Sequence, residues 1–421
     1  MNAGRSWSTI LTKNAKDCEG IAELSGYMGA NLKGFFTFGP RKTLFVIPFN
    51  LQEMPEITQN GTQIQADGVI ARLATYDHEQ VLFCQDKATG LRAIIAIHNT
   101  TLGPSLGGTR MWNYATEAEA LNDVLRLSRG MTYKSSLAGL NLGGGKAVII
   151  GDARTQKSEA LFRRFGKFVN SLSGKYITAE DVGINTRDIE YVAMETEHVA
   201  GLPEYLGGSG DPSPVTAYGV YVSMKAAAKA QYGSDSLSGK KILVQGVGHV
   251  GMYLVDHLVG EGAVVSIADI YEDRVKAIVK KHPRVKVVHA DDVYETEMDI
   301  YSPCALGATI NDLTLAKLKC GIICGGANNQ LADENKHGRE VKDRGILYAP
   351  DFLVNAGGII NCYWEVIGYN RDAAMSQAEN IYNTTERIIK LSADENIPTY
   401  LAANRLAEER INAIAKLKAT F

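Results

Sequence analysis

No run of about 18 apolar residues occurs in this chain, so no membrane-spanning helix is expected. Its six cysteines (Cys18, Cys84, Cys304, Cys320, Cys324 and Cys362) form no Cys-x-x-Cys pair. Cys320 and Cys324 are spaced as a metal could use them, but they flank an apolar Gly-Ile-Ile that reads as a buried strand, so they are taken as core thiols. Free thiols without a disulfide framework fit a reducing, cytoplasmic setting. The eight histidines are scattered, with no His-Glu-x-x-His, and no metal is expected. Charge of one sign is also scarce. A formal net charge of −3 gives no reason to expect nucleic acid or a membrane surface as a partner. The N-terminus has no basic start followed by a clean apolar core, because Lys13, Asp17 and Glu19 interrupt it, so no signal peptide is read there.

What is present suits a large soluble-type core. The chain has 421 residues, 45% hydrophobic and 22% charged, which is enough for two domains. Residues 1–75 carry no recognisable chemistry and are read as an extension, with Met54 as a true start and the residues before it untranslated or disordered. Leu91–His98 reads as a strand, Leu102–Thr109 as a glycine-rich loop, and Thr116 as the N-cap of a helix running to about Thr132. A second glycine cluster, Gly143-Gly144-Gly145, precedes a short buried strand, Ala147–Ile150. Ser158–Leu172 reads as a helix. From about Pro214 short apolar runs alternate with helices: Ile242–Gln245, Val264–Ala268, Val285–His289, Asp299–Ser302, Ile322–Cys324 and Ile346–Tyr348. Apolar runs of this kind predict a parallel sheet covered on both faces. The fold class is therefore α/β: an N-terminal α/β substrate domain over 76–213, a Rossmann-type domain over 214–398, a cleft between them, and C-terminal helices over 399–421 packing back on the first domain.

Gly246-Val-Gly248-His-Val-Gly251 follows one predicted strand and opens a helix, and the next strand ends at Asp269. This is the full setting of a dinucleotide site. Gly246 permits the tight turn, Gly248 lets backbone approach a pyrophosphate, and Gly251 lets helix and strand pack closely. Asp269 would accept from the ribose hydroxyls. The nearest arginine is Arg274, so NAD is expected rather than NADP. A glycine turn of purely structural purpose, with Asp269 a solvated strand end, is the competing reading.

Two lysines, Lys134 and Lys146, stand near glycine-rich backbone. Gly145-Lys146 is a poor phosphate loop: position 140 is Leu and position 147 is Ala, where glycine and a magnesium-holding hydroxyl are needed. A desolvated lysine that can lose its proton fits better. Asp181 sits at a strand-to-loop exit, a common place for functional groups. Each residue alone could be ordinary surface charge; only the combination suggests catalysis.

Leu106-Gly-Gly-Thr-Arg-Met111, Gly130-Met-Thr-Tyr-Lys134, Leu142-Gly-Gly-Gly-Lys-Ala147, Thr178-Ala-Glu-Asp-Val-Gly183, Gly325-Gly-Ala-Asn-Asn-Gln330 and Asn355-Ala-Gly-Gly358 together resemble the glutamate/leucine/phenylalanine/valine dehydrogenase family, from about Tyr76 to Lys418. Within that family the chain is most similar to the members acting on leucine. The resemblance implies that Lys134 holds the substrate carboxylate, Lys146 activates water, and Asp181 shuttles a proton at the amino nitrogen. It implies that Asn328 meets substrate and cofactor, Thr216 binds the nicotinamide carboxamide, and Gly107, Leu106, Met131, Ala179 and Ile359 line the substrate pocket. It further implies amino acid, 2-oxo acid and ammonium as small-molecule ligands, and a homo-oligomer. L-leucine, with valine and isoleucine, is the expected substrate, because Ala179 narrows the pocket where relatives acting on phenylalanine have glycine. Phenylalanine deamination and a non-catalytic NAD-binding regulator are the alternatives.

Overall fold

The structure, a computed structural model, describes residues 68–418. The reading of Met54 as a start lies outside the described residues. The extension expected over 1–75 is corrected at its end: helix α1 (Val69–Tyr76) is ordered, and Arg72 donates to Asn122 Oδ1 at 3.1 Å. The Tyr76 carbonyl lies 3.0 Å from His98 Nε2, which ties the end of α1 to the sheet.

The first sheet contains β1 (Gln80–Asp86), β2 (Leu91–Asn99), β3 (Ser105–Trp112), β4 (Gly143–Ile150) and β5 (Tyr176–Glu180), in the order β1-β2-β4-β3-β5. β1 and β4 run antiparallel to β2, while β3 is parallel to both β4 and β5. Helix α2 (Glu117–Leu137) covers one face; α3 (Glu159–Asn170) and α4 (Thr186–Ala193) cover the other. Thr116 caps α2 by accepting from the Glu119 N–H at 3.1 Å, and the Glu119 carboxylate accepts from Ala115 N–H at 2.9 Å.

The glycine run Leu102–Thr109, expected as a loop, is largely strand, and the Gly143–Gly145 cluster is the start of the strand expected from Ala147. Ser105–Trp112 and Gly143–Ile150 are paired ladders. The glycines serve close approach. A Cβ on Gly107 would stand 1.8 Å from the Gly145 carbonyl oxygen, and one on Gly144 2.1 Å from the Thr132 nitrogen of α2. Helix α2 can lie this near β4 only because there is no side chain between them.

Helix α5 (Ser213–Tyr232) leads to the second sheet. It carries Pro214 in its first turn, where the missing N–H costs nothing. β6 (Lys241–Gln245), α6 (His249–Gly260), β7 (Val264–Ala268), α7 (Glu272–Lys281), β8 (Lys286–Val287), β9 (Ile300–Pro303), α8 (Asp312–Lys317), β10 (Ile322–Ile323), α9 (Glu334–Asp343) and β11 (Leu347–Tyr348) follow. All pairings in this sheet are parallel, in the order β11-β10-β9-β6-β7-β8. Apolar clusters pack on both of its faces, which is why its strands read as continuous apolar runs. The chain ends in α10 (Asp351–Val354), α11 (Gly357–Ile367), α12 (Arg371–Glu379), α13 (Ile381–Asp394) and α14 (Thr399–Lys418). Helix α14 packs against α2: Ser136 Oγ donates to the Ala407 carbonyl at 2.9 Å and Arg410 to that of Leu140 at 2.7 Å.

Candidate active site

Alternation along the strands decides which side chains of the first sheet meet. Leu106, Gly108 and Arg110 of β3, Gly144, Lys146 and Val148 of β4, and Ile177 and Ala179 of β5 share the face turned to α2. Met111, Ala147, Ile149 and Tyr176 point the other way, into the core beneath α3. Asp181 follows β5 by one residue and continues on the α2 side.

On that face Lys146, only 6% exposed, places Nζ 2.9 Å from Asp181 Oδ2. Arg110 Nε lies 3.1 Å from the same oxygen, and its Nη1 donates to Asp123 Oδ2 of α2 at 2.9 Å. Burial opposes the Asp181 charge. The cations of Lys146 and Arg110 outweigh it and hold the carboxyl below its ordinary range.

Lys134, in the last turn of α2, donates to Asn328 Oδ1 at 3.4 Å. Desolvation lowers its pKa to about 8, helped by the positive charge of Lys146 and opposed by Asp351 and Asp181. Asn328 Oδ1 also accepts from Asn355 Nδ2 at 2.7 Å. With its oxygen engaged twice, Asn328 offers a ligand its amide N–H groups, a donor for a carboxylate or carbonyl. Buried Asp351 accepts from the Gln330 N–H at 2.8 Å and so anchors the segment bearing Asn328. Burial raises the Asp351 pKa.

Leu106, Met131 and Ile359 join one apolar cluster. Buried Ala179 is the register partner of Gly108. The Gly107 carbonyl accepts from the buried Tyr176 hydroxyl at 2.6 Å. An apolar wall thus stands beside two amines and a carboxylate.

The glycine turn lies on the second sheet. Gly246 has φ +97°, and a Cβ on Gly251 would be 2.0 Å from the Gly246 carbonyl oxygen. A Cβ on Gly248 would meet only the Arg274 guanidinium, at 3.4 Å. The N-terminus of α6 has no side-chain cap and no acidic residue in its first turn. These features fit a pyrophosphate. Asp269 Oδ2 accepts from Val247 N–H at 2.8 Å and Oδ1 from Tyr271 N–H at 2.9 Å, so the carboxylate braces the turn and keeps further lone pairs for hydroxyls. Thr216 is buried and donates to the Pro212 carbonyl at 3.0 Å, beside Gly358 at the start of α11. The turn and the lysines are linked through one loop. Ala305 touches Gly246, Gly307 touches the Asn328 backbone, and Asn328 touches Lys134.

Residues 78–198 match the family model "Glu/Leu/Phe/Val dehydrogenase, dimerisation domain", and residues 207–272 and 267–418 match "Glutamate/Leucine/Phenylalanine/Valine dehydrogenase". The chain belongs to the Glu/Leu/Phe/Val dehydrogenase family. Leucine dehydrogenase of Geobacillus stearothermophilus is 55% identical, over 83% of this chain and 95% of the relative. Valine dehydrogenase of Streptomyces coelicolor is 48% identical, over 79% and 92%. Among solved structures, L-tryptophan dehydrogenase from Nostoc punctiforme superposes with a TM-score of 0.73 at 42% identity, covering 82% of this chain and 99% of that one. The α/β fold read from the sequence is that of this dehydrogenase family.

Sequence reasoning missed Arg110, Asp123, Asn355 and Asp351 as members of the site. Arg110 lay inside a quoted motif. Its signal was the period of two, hidden once Leu102–Thr109 was read as a loop. Asn355 also lay inside a quoted motif, and Asp351 has no local signal, because the groups it meets, the Gln330 N–H and the Lys134 charge, come from other segments of the chain.

Proposed function

We propose that this dehydrogenase oxidatively deaminates branched-chain L-amino acids with NAD, preferring L-leucine and accepting valine and isoleucine, and releases 2-oxo acid and ammonium. It is an amino-acid dehydrogenase by family, and relatives named for leucine and valine support the branched-chain class. The observation that carries the reading is the meeting of Lys146, Asp181 and Lys134, from three different elements, beside the Leu106–Met131–Ile359 wall.

In this reading Lys134 and the Asn328 amide hold the substrate carboxylate, and the backbone at Gly107 lines its path. Asp181 takes a proton from the substrate ammonium, so that the nitrogen lone pair can support loss of hydride from the α-carbon. Gly246, Gly248, Gly251, Asp269, Thr216 and Asn328 would hold NAD, which would supply the hydride acceptor. Lys146, nearly dry and glycine-walled, accepts a proton from the water that attacks the imine. The fixed charges sit ready for the developing ones, in a cleft that sheds water when it closes. Ala179, Leu106, Met131 and Ile359 select an aliphatic side chain. One methylene more or less is worth only about 1–3 kcal/mol, so the three branched substrates all react. We divide the chain as a substrate domain over 76–213 with the helices from 399, and a cofactor domain over 214–398. We expect a cytoplasmic homo-oligomer.

The test is NADH formation with leucine, valine, isoleucine, phenylalanine and glutamate, run beside Lys146→Ala. Leucine is expected to lead, and the variant to bind NAD while losing about 10²–10⁴-fold in kcat. Phenylalanine far ahead would overturn the role of Ala179. No turnover with any substrate would favour a non-catalytic NAD-binding protein.

A further inference from the structure

The Asp181 carboxylate is held from behind as well as from the active-site side. Both cations near it, Lys146 Nζ at 2.9 Å and Arg110 Nε at 3.1 Å, address Oδ2. Oδ1 is the oxygen that neither claims. Arg110 is fixed in turn. Its Nη1 is 2.9 Å from Asp123 Oδ2, the Tyr114 hydroxyl donates to the same Asp123 oxygen at 2.8 Å, and Arg126 Nη2 binds Asp123 Oδ1 at 3.1 Å. A planar guanidinium can span two carboxylates at set angles, which an ammonium cannot.

We propose that Arg110 is a positioning residue for the deamination. Clamped by Asp123 and Tyr114, it pins Asp181 through Oδ2, keeps that carboxylate charged, and leaves Oδ1 turned to the substrate nitrogen. The proposal rests on the reading of Asp181 as the proton carrier. Every element packed around Asp181 supplies a charged or titratable neighbour: Arg110 from β3, Lys146 from β4, Tyr176 from β5, Lys134 and Asp123 from α2, and Tyr114 from the turn between β3 and α2. Asp123 lies behind Arg110, with its charge spent on Arg110 and Arg126. Arg110 is therefore the fixed cation that does not itself exchange protons with substrate or water. Removing it makes protonation easier at whichever group of the cluster sets the acidic limb of the rate profile.

The experiment is the pH profile of kcat/KM for leucine with the full chain, Arg110→Met, Arg110→Lys and Asp181→Asn, each checked for NAD binding and melting temperature. Arg110→Met is expected to move the acidic limb up by about one pH unit or more, which is a tenfold loss on that side. Arg110→Lys keeps the charge but loses the second arm of the fork; it should fall between Arg110→Met and the parent. NAD binding should be unchanged in both. If Asp181→Asn is inactive and every folded Arg110 variant keeps the parent's limb, the positioning role is wrong while the reading of Asp181 stands. If Asp181→Asn turns over normally, the reading of Asp181 itself falls.

Discussion

Lys134 shows how a single residue's surroundings set its chemistry. It lies in the last turn of a helix, where a cation is favoured by the dipole, yet desolvation and the neighbouring Lys146 bring its pKa down to about 8. The ammonium is therefore present below that value and lost as pH rises through it. If Lys134 holds the substrate carboxylate, kcat/KM for the 2-oxo acid in the reverse reaction should fall about tenfold per pH unit above about 8. A profile that stays level well into the alkaline range would remove Lys134 from carboxylate binding. The glycine-walled setting of these lysines could be read from the sequence. Which cations and carboxylates face one another could not, because the partners of Lys134, Asn328 and Asp351, come from positions about two hundred residues further on.

At the level of elements, the glycine run of β3 is the point where local reading failed, and the packing of β3 and β4 explains why. Glycine-rich runs usually signal loops. Here they are strands made bare so that α2 can rest on β4 and β3 can lie between β4 and β5. A methyl at Gly144 would meet the Thr132 nitrogen at 2.1 Å and its hydroxyl at 2.2 Å, so the helix carrying Lys134 would have to move. Gly144→Ala should cost about 1–3 kcal/mol or more, seen as a lower denaturant midpoint, and should raise KM for leucine. Parent-like stability with parent-like KM would show that α2 has more room than the geometry allows. The capped start of α2 and the second sheet were legible because their signals are local: Thr116 with Glu119, and apolar runs covered on both faces.

For the whole molecule, the segment after α1 brings half-buried His78 against buried His98 of β2. His98 Nδ1 is 2.8 Å from the Thr132 hydroxyl, His78 Nε2 is 2.8 Å from the Ser128 hydroxyl, and the rings meet edge to face at 4.8 Å. Burial lowers both pKa values, that of His98 from 6.5 to about 4. The unfolded chain thus takes up protons near 6.5 while the folded one does not until about 4, and stability is lost as pH falls through that window. Each histidine can contribute a slope of at most about 1.4 kcal/mol per pH unit. Melting temperature should decline between those values in the parent and decline less in His98→Gln; equal slopes would mean the pair is not the titrating element.

The sequence by itself determined the family, the parallel sheet, the glycine turn with its following acid, and the short roster of amines and carboxylates, since each is written in contiguous residues or in a fixed spacing. Only the tertiary structure decided that Arg110 stands behind Asp181 and that Asn328, Asn355 and Asp351 close on Lys134. Those relations depend on strand register and on how one sheet faces the other, and neither is encoded in any single stretch of chain.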